Sequence, residues 1–256
     1  MDKRILWKDA WQAISRSLGR FIAITLLMLL GTFAFIGLKI TGPDMRQSAL
    51  TFFNQHHLAD MTVTSTYGLD ATDQRAIRHQ AGVQKIAFGY YQDATINHSQ
   101  TSIRVFSNSK QLSTYQLVSG KMPTKDNENA LSTALQGKYH RGQVINLGET
   151  AELKQQKFKI VGFVKSSEYI SKTDYGQTNV GTGQLSGIAV TTKKAFSSSN
   201  YNIARIKYRA TANVNAYSDR YNQYVNRKQT QLQTALNRHR AAKYQANQAQ
   251  ITALQA

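Results

Sequence analysis

The side chains that usually carry chemistry are all present in this 256-residue chain except cysteine, but not at the spacings that chemistry uses. A nucleophile elbow needs GxSxG, a zinc protease helix HExxH, and a phosphate cradle a glycine-rich loop of fixed length, and the sequence has none of them. Gly181-Thr182-Gly183 lacks the third glycine of a dinucleotide loop. His56 and His57 are adjacent, so on a helix they point apart, and no nearby carboxylates complete a metal set. The absence of cysteine removes thiolate zinc sites and thiol nucleophiles. Glu149 and Glu152 read as surface carboxylates. The expectation is a protein that is not an enzyme, with no catalytic, cofactor-binding or metal-binding residues.

Two groups of residues are suited to contact instead of catalysis. Trp7, Trp11, Ile14 and Leu18 recur at spacings of 4, 3 and 4, one helical stripe. Tryptophan favours the membrane–water boundary, and a basic amphipathic helix lies flat there, so this is a candidate membrane-interface segment. Alternatively, residues 8–20 are the first turns of a longer spanning helix. The second group lies in a clean alternation over residues 201–209: Ala204, Ile206 and Tyr208 read as core, while Arg205, Lys207 and Arg209 form a candidate basic surface or a plain solvated strand face.

What must position both is the run 21–38, FIAITLLMLLGTFAFIGL, eighteen residues without a charge. About 20 apolar residues cross the ~30 Å hydrocarbon core, and backbone groups in lipid must pair internally, so this is a spanning α-helix over 21–40. Five basic residues against two acidic ones precede it, which places the N-terminus in the cytoplasm and the bulk outside. A cleaved signal peptide shows the same charge order, but its apolar core is shorter, about 7–15 residues.

The formal charge is +18, and 26 basic against 12 acidic residues follow residue 40. On an external domain this suits anionic lipid headgroups or wall polymers, or is spread for solubility; nucleic acid would require a cytosolic chain. Thr41-Gly42-Pro43-Asp44 reads as a helix break, with a further helix over 45–57. A strand at 61–65, a helix opened by Asp70 with Asp73, and strands at 83–96 and 101–107 around a polar loop follow. Short strands at 144–147, 158–164 and 187–190 mark a β-rich subdomain over about 112–196. From Tyr217 the chain is built of helix formers with a heptad-like seam through Tyr221, Val225, Lys228, Leu232, Ala235 and His239. The fold class is α+β.

A series of short signatures occurs in order: Leu18-Gly19-Arg20-Phe21 into the apolar run, Ile40 to Met45 out of it, then Gly120-Lys121-Met122-Pro123 with Asn127-Glu128, Gly142-Gln143-Val144-Ile145, Phe158 to Val164, Tyr169-Ile170-Ser171, and Gly187-Ile188-Ala189-Val190. In this order, over about residues 3–215, the chain resembles the N-terminal part of FtsX-like ABC transporter permeases of Gram-positive bacteria, with a MacB-like extracytoplasmic core domain. The resemblance implies a cytoplasmic segment 1–20, a spanning helix 21–40, an extracytoplasmic domain 41–212 and a helical insertion 213–256. It implies a single-pass cell-membrane subunit that engages a ligand or partner outside and couples mechanically to a cytoplasmic ABC ATPase. Family members carry further spanning helices, generally three, so the sequence reads as truncated, with remaining permease segments or a second permease as further partners, besides membrane lipid and without nucleic acid. The alternative is a membrane-anchored binding or scaffold protein without transport.

Overall fold

The computed structural model describes residues 7, 11–12, 15–97, 99–148, 152–171 and 174–255. The chain divides into two units, Met1–Thr51 and Phe52–Ala256.

Helix α1, Leu18–Gln55, contains the apolar run and is the one described helix long and apolar enough to cross a membrane. Its hydroxyls are satisfied within the helix, as hydrocarbon demands: Thr25 donates to the Phe21 carbonyl and Thr32 to that of Met28, each at 2.8 Å. The expected break at Thr41–Asp44 does not occur, because the helix runs through Pro43. Gly42 explains the tolerance, since it has no Cβ for the proline ring to clash with. Thr41 also anchors this turn by donating to the Gly37 carbonyl at 2.7 Å.

In the second unit, β1 (Met61–Leu69) is followed by α2 (Ala71–Arg78), β2 (Val83–Gly89), β3 (Tyr91–Thr95) and β4 (Ser102–Ser107). The capping box expected at Asp70 forms: its carboxylate accepts from the Thr72 and Asp73 amides at 2.9 Å, and Asp73 accepts from the Asp70 amide. The single strand read over 83–96 is two strands in two sheets. The chain changes sheet at Gly89–Tyr90, where a Cβ on Gly89 would stand 2.8 Å from the Ser107 hydroxyl, which accepts from the Tyr90 amide at 2.9 Å. Then come β5 (Tyr115–Gly120), β6 (Glu128–Ser132), β7 (Val144–Asn146), β8 (Lys157–Ser166), β9 (Leu185–Thr191), β10 (Tyr201–Tyr208) and α3 (Asp219–Gln255).

The smaller sheet is antiparallel, in the order β1-β10-β2. The larger, seven-stranded and mixed, runs β3-β4-β9-β6-β8-β5, with β7 on β8 and parallel pairs β4–β9 and β6–β8. It therefore takes strands from 91–107 as well as from the region beyond 112. Its core gathers Ile103, Val105, Leu131, Phe158 and Ile160. On the small sheet, Ala204, Ile206 and Tyr208 of β10 pack with Ile77 of α2 and Leu232 of α3, so the seam read in the tail lies in part against the chain's own sheet. The opposite face of β10 is also covered: Ile203 joins Phe106, Tyr175, Leu185 and Ile188 between the sheets.

Candidate coupling joint and engagement groove

Coverage of β10 on both faces changes the reading of the basic surface. Alternation separates two faces but does not show that one is wet. Arg205 is 1% exposed; its Nε and Nη2 donate to the two carboxylate oxygens of Glu168 at 2.6 and 2.7 Å, and its guanidinium lies 5.2 Å from the Phe106 ring. The neighbouring sheet repeats the fork, Arg104 donating to both oxygens of Asp93 at 2.6 and 2.7 Å. The Arg104 pKa is raised, chiefly by its bond to Asp93 and against the effect of burial; burial lowers that of Arg205, but Tyr115 and then Glu168 outweigh it and the net direction is up. Lys207 is bound to Asp60 at 2.6 Å, and Arg209 is exposed on the 3-10 turn Arg209–Thr211. The three cations do not share one exposed face.

Asp60, which no neighbouring residue marks out, is the hub. Its side chain is fully buried and accepts from Lys207 Nζ at 2.6 Å, the Tyr208 amide at 2.8 Å, the Thr211 hydroxyl and the Tyr221 hydroxyl at 2.9 Å. Burial and the Asp60 carboxylate both raise the Tyr221 pKa, so the phenol stays a donor. The Asp60 backbone amide donates to the Ile206 carbonyl at 2.9 Å. One carboxylate thus joins the start of β1, the end of β10 and the foot of α3.

The segment entering this hub is itself tied down. The carbonyls of His56 and His57 accept from the Thr114 and Ser113 amides at 2.9 and 2.8 Å, and the Ala59 amide donates to the Ser113 hydroxyl at 3.1 Å. His57 turns the chain with φ of 49°. His56 bonds Thr114 through Nδ1 at 3.2 Å, and burial, reinforced by His57, lowers its pKa. The histidine pair fixes the exit of a helix; among the described residues no three His, Cys, Asp or Glu side chains gather as a metal set. Glu152, read as a surface residue, has one carboxylate oxygen buried, and Glu149 lies outside the described residues.

Beyond the hub a groove of about 830 Å³ runs between β1 and α3. Strand β1 pairs on one side only, with β10, so its outer edge faces Gln229, Gln233 and Arg240 across the groove. Tyr67 stands on this edge almost fully exposed. Lys243 closes the far end by pairing with Asp70 and, at 3.6 Å, with Asp73.

In the first unit, Trp7, Trp11 and Leu18 are helical and exposed at 70, 66 and 51%, and Ile14 lies outside the described residues.

No protein-family model matches the chain, and no curated protein matches it significantly. Among solved structures, it is similar to the extracellular domain of the noncanonic ABC-type transporter YknZ from Gram-positive bacteria, with 13% identity and a TM-score of 0.36 over 66% of this chain and 93% of that one. It is also similar to the periplasmic region of MacB from Actinobacillus actinomycetemcomitans, with 10% identity and a TM-score of 0.34 over 64% of this chain and 74% of that one. TM-scores below 0.5 do not establish a shared fold.

Proposed function

We propose that this chain is a membrane-anchored permease subunit of the FtsX-like, MacB-like kind, not an enzyme, with its sheet body outside the cell and its N-terminus in the cytoplasm. It engages a ligand or partner outside and is coupled mechanically to a cytoplasmic ABC ATPase. The observation that carries this is the Asp60 hub. Four donors from β10, the turn after it and α3 converge on one buried carboxylate, a few residues after the helix that contains the apolar run. A displacement of that exit segment is therefore delivered to the foot of α3 and the groove beside it. The order of sequence signatures and the basic excess ahead of the apolar run support the family and the orientation. Trp7, Trp11, Ile14 and Leu18 are assigned to the cytoplasmic membrane interface, and of the candidate basic surface Arg209 is the exposed cation, on the turn after β10.

The test is affinity capture of the tagged full chain from detergent-solubilised native membranes, with mass spectrometry of what accompanies it. An ABC-type ATPase, enriched over an unrelated single-pass control, is the expected result. Repeated capture without an ATPase would remove the coupling and leave an anchored external binding protein.

A further inference from the structure

The cavities of the second unit differ in charge. The β1–α3 groove carries both signs, with Asp60, Asp73, Arg240 and Lys243 among its lining residues. A second cavity, of about 690 Å³, opens at the free edge of β2 and reaches between the sheets. Of its sixteen lining residues, four are Lys or Arg and none is Asp or Glu. Its volume falls in the range of about 300–1,000 Å³ typical of small-molecule sites.

The four cations are held in place in different ways. Arg205 forms the floor, with Nε and Nη2 occupied by Glu168, so its charge is matched. Its remaining terminal nitrogen, Nη1, lies 4.0 Å from where a Cβ on Gly89 would stand, within a side chain that is almost wholly buried. Arg78 lies over the Phe88 ring at 4.7 Å. Lys193 donates to the Phe88 carbonyl at 2.9 Å and sits 5.2 Å from the centre of the Tyr201 ring. Ring faces and a carbonyl orient cations without neutralising them. Lys110 is exposed at the rim, and among the described residues no carboxylate pairs with Arg78, Lys110 or Lys193. Three cations without a paired carboxylate, around a cavity that no acidic residue lines, are the arrangement that attracts a compact, multiply charged oxyanion.

We infer that the cavity at the free edge of β2 binds a phosphate group, carried either by a soluble phosphate ester or by a lipid headgroup. The pocket needs no ATPase partner, so failure to capture an ATPase and failure of this site are separate results.

The test uses the full chain in phosphatidylcholine nanodiscs, titrated calorimetrically with glycerol 1-phosphate. Saturable one-site binding is expected, weakening as salt is raised. Arg78→Gln with Lys193→Gln should weaken it at least tenfold with circular dichroism and thermal unfolding unchanged, whereas Arg238→Gln, outside the cavity, should change it less than twofold. If the double variant loses its fold, Arg78→Gln alone, at an exposed residue, should still weaken binding severalfold. Adding phosphatidylglycerol to the discs separates the sources: weaker apparent binding of the probe identifies the headgroup as occupant, and unchanged binding identifies a soluble ester. Absence of saturable binding, or equal losses in Arg238→Gln and the pocket variants, overturns the site.

Discussion

Replacing Asp60 by alanine tests the hub most sharply. The change removes the acceptor of four donors, and the side chain it deletes is fully buried. Lys207 is 26% exposed and regains some hydration, and the Thr211 hydroxyl can turn its proton to the Tyr208 carbonyl at 2.8 Å. Among the described residues, the Tyr208 amide and the Tyr221 hydroxyl show no second side-chain acceptor. Breaking a buried ion pair costs about 3–5 kcal/mol, and an orphaned buried donor about 1–3, with strong overlap between the two. We therefore expect a loss of about 4 kcal/mol, a large part of the ~5–15 kcal/mol that holds a domain together. Lys207→Met leaves Asp60 its other three donors and should cost only about 1–2 kcal/mol. The double variant should show a coupling of about 1–2 kcal/mol. Urea unfolding of the full chain in detergent, followed by tyrosine near-ultraviolet circular dichroism, measures these values; Trp7 and Trp11 lie outside the second unit and do not report on it. Hydrogen exchange should accelerate at the Tyr208 amide and in the first turns of α3. An Asp60→Ala variant within about 1 kcal/mol of the parent, with exchange unchanged, would refute the hub, since that loss is far below the value for a broken buried pair.

Three further outcomes follow from local geometry. Glu168→Ala leaves the Arg205 guanidinium buried without its carboxylate and should destabilise the protein by about 3–5 kcal/mol in the same urea assay. A change below about 1 kcal/mol would mean that water or another group takes over. The Glu128 carboxylate accepts from the Thr124 and Lys125 amides, the Thr124 hydroxyl and Lys121, and the first of these chiefly lowers its pKa from 4.5 to about 2. Because the folded-state value is depressed, its stabilisation is full above pH 4.5 and declines as pH falls toward 2; Glu128→Gln should flatten thermal stability across that interval. Gly120→Ala places a Cβ 2.2 Å from the Val161 carbonyl oxygen at a φ of +80°, so the melting temperature should drop by several degrees at least, whereas Gly137→Ala, with open space around it, should leave it nearly unchanged.

The features legible in the sequence are those set by neighbouring residues. The apolar run needs no partner to be recognised, and Asp70 with Asp73 closes its box within three residues. Gly162 stands inside a β run, where a glycine marks a bulge or a close backbone approach, and has the Lys121 and Ser119 carbonyl oxygens 2.5 and 2.9 Å from where its Cβ would be. What escaped depends on partners far along the chain. Asp60 meets donors 147 to 161 residues away, so nothing near it marks it as a hub. Arg205 alternates correctly with Ala204 and Ile206, yet a second layer containing Glu168, Phe106 and Ile188 covers the face that a solitary strand would leave in water. Pro43 suggested a break because residue-level propensity weighs it heavily, and Gly42 before it lifts part of that steric conflict.

Coupling of external engagement to a cytoplasmic ATPase requires the sheet body outside and the N-terminal segment inside. The chain has no cysteine, so single reporters can be placed on an empty background. Ser199→Cys in the loop before β10 and Gln12→Cys ahead of α1 are both exposed positions. With a membrane-impermeant maleimide on intact cells, Ser199→Cys should label at once and Gln12→Cys only after permeabilisation. Labelling of Gln12→Cys in intact cells with Ser199→Cys protected would contradict the orientation, and with it the transmission of external engagement to a cytoplasmic ATPase.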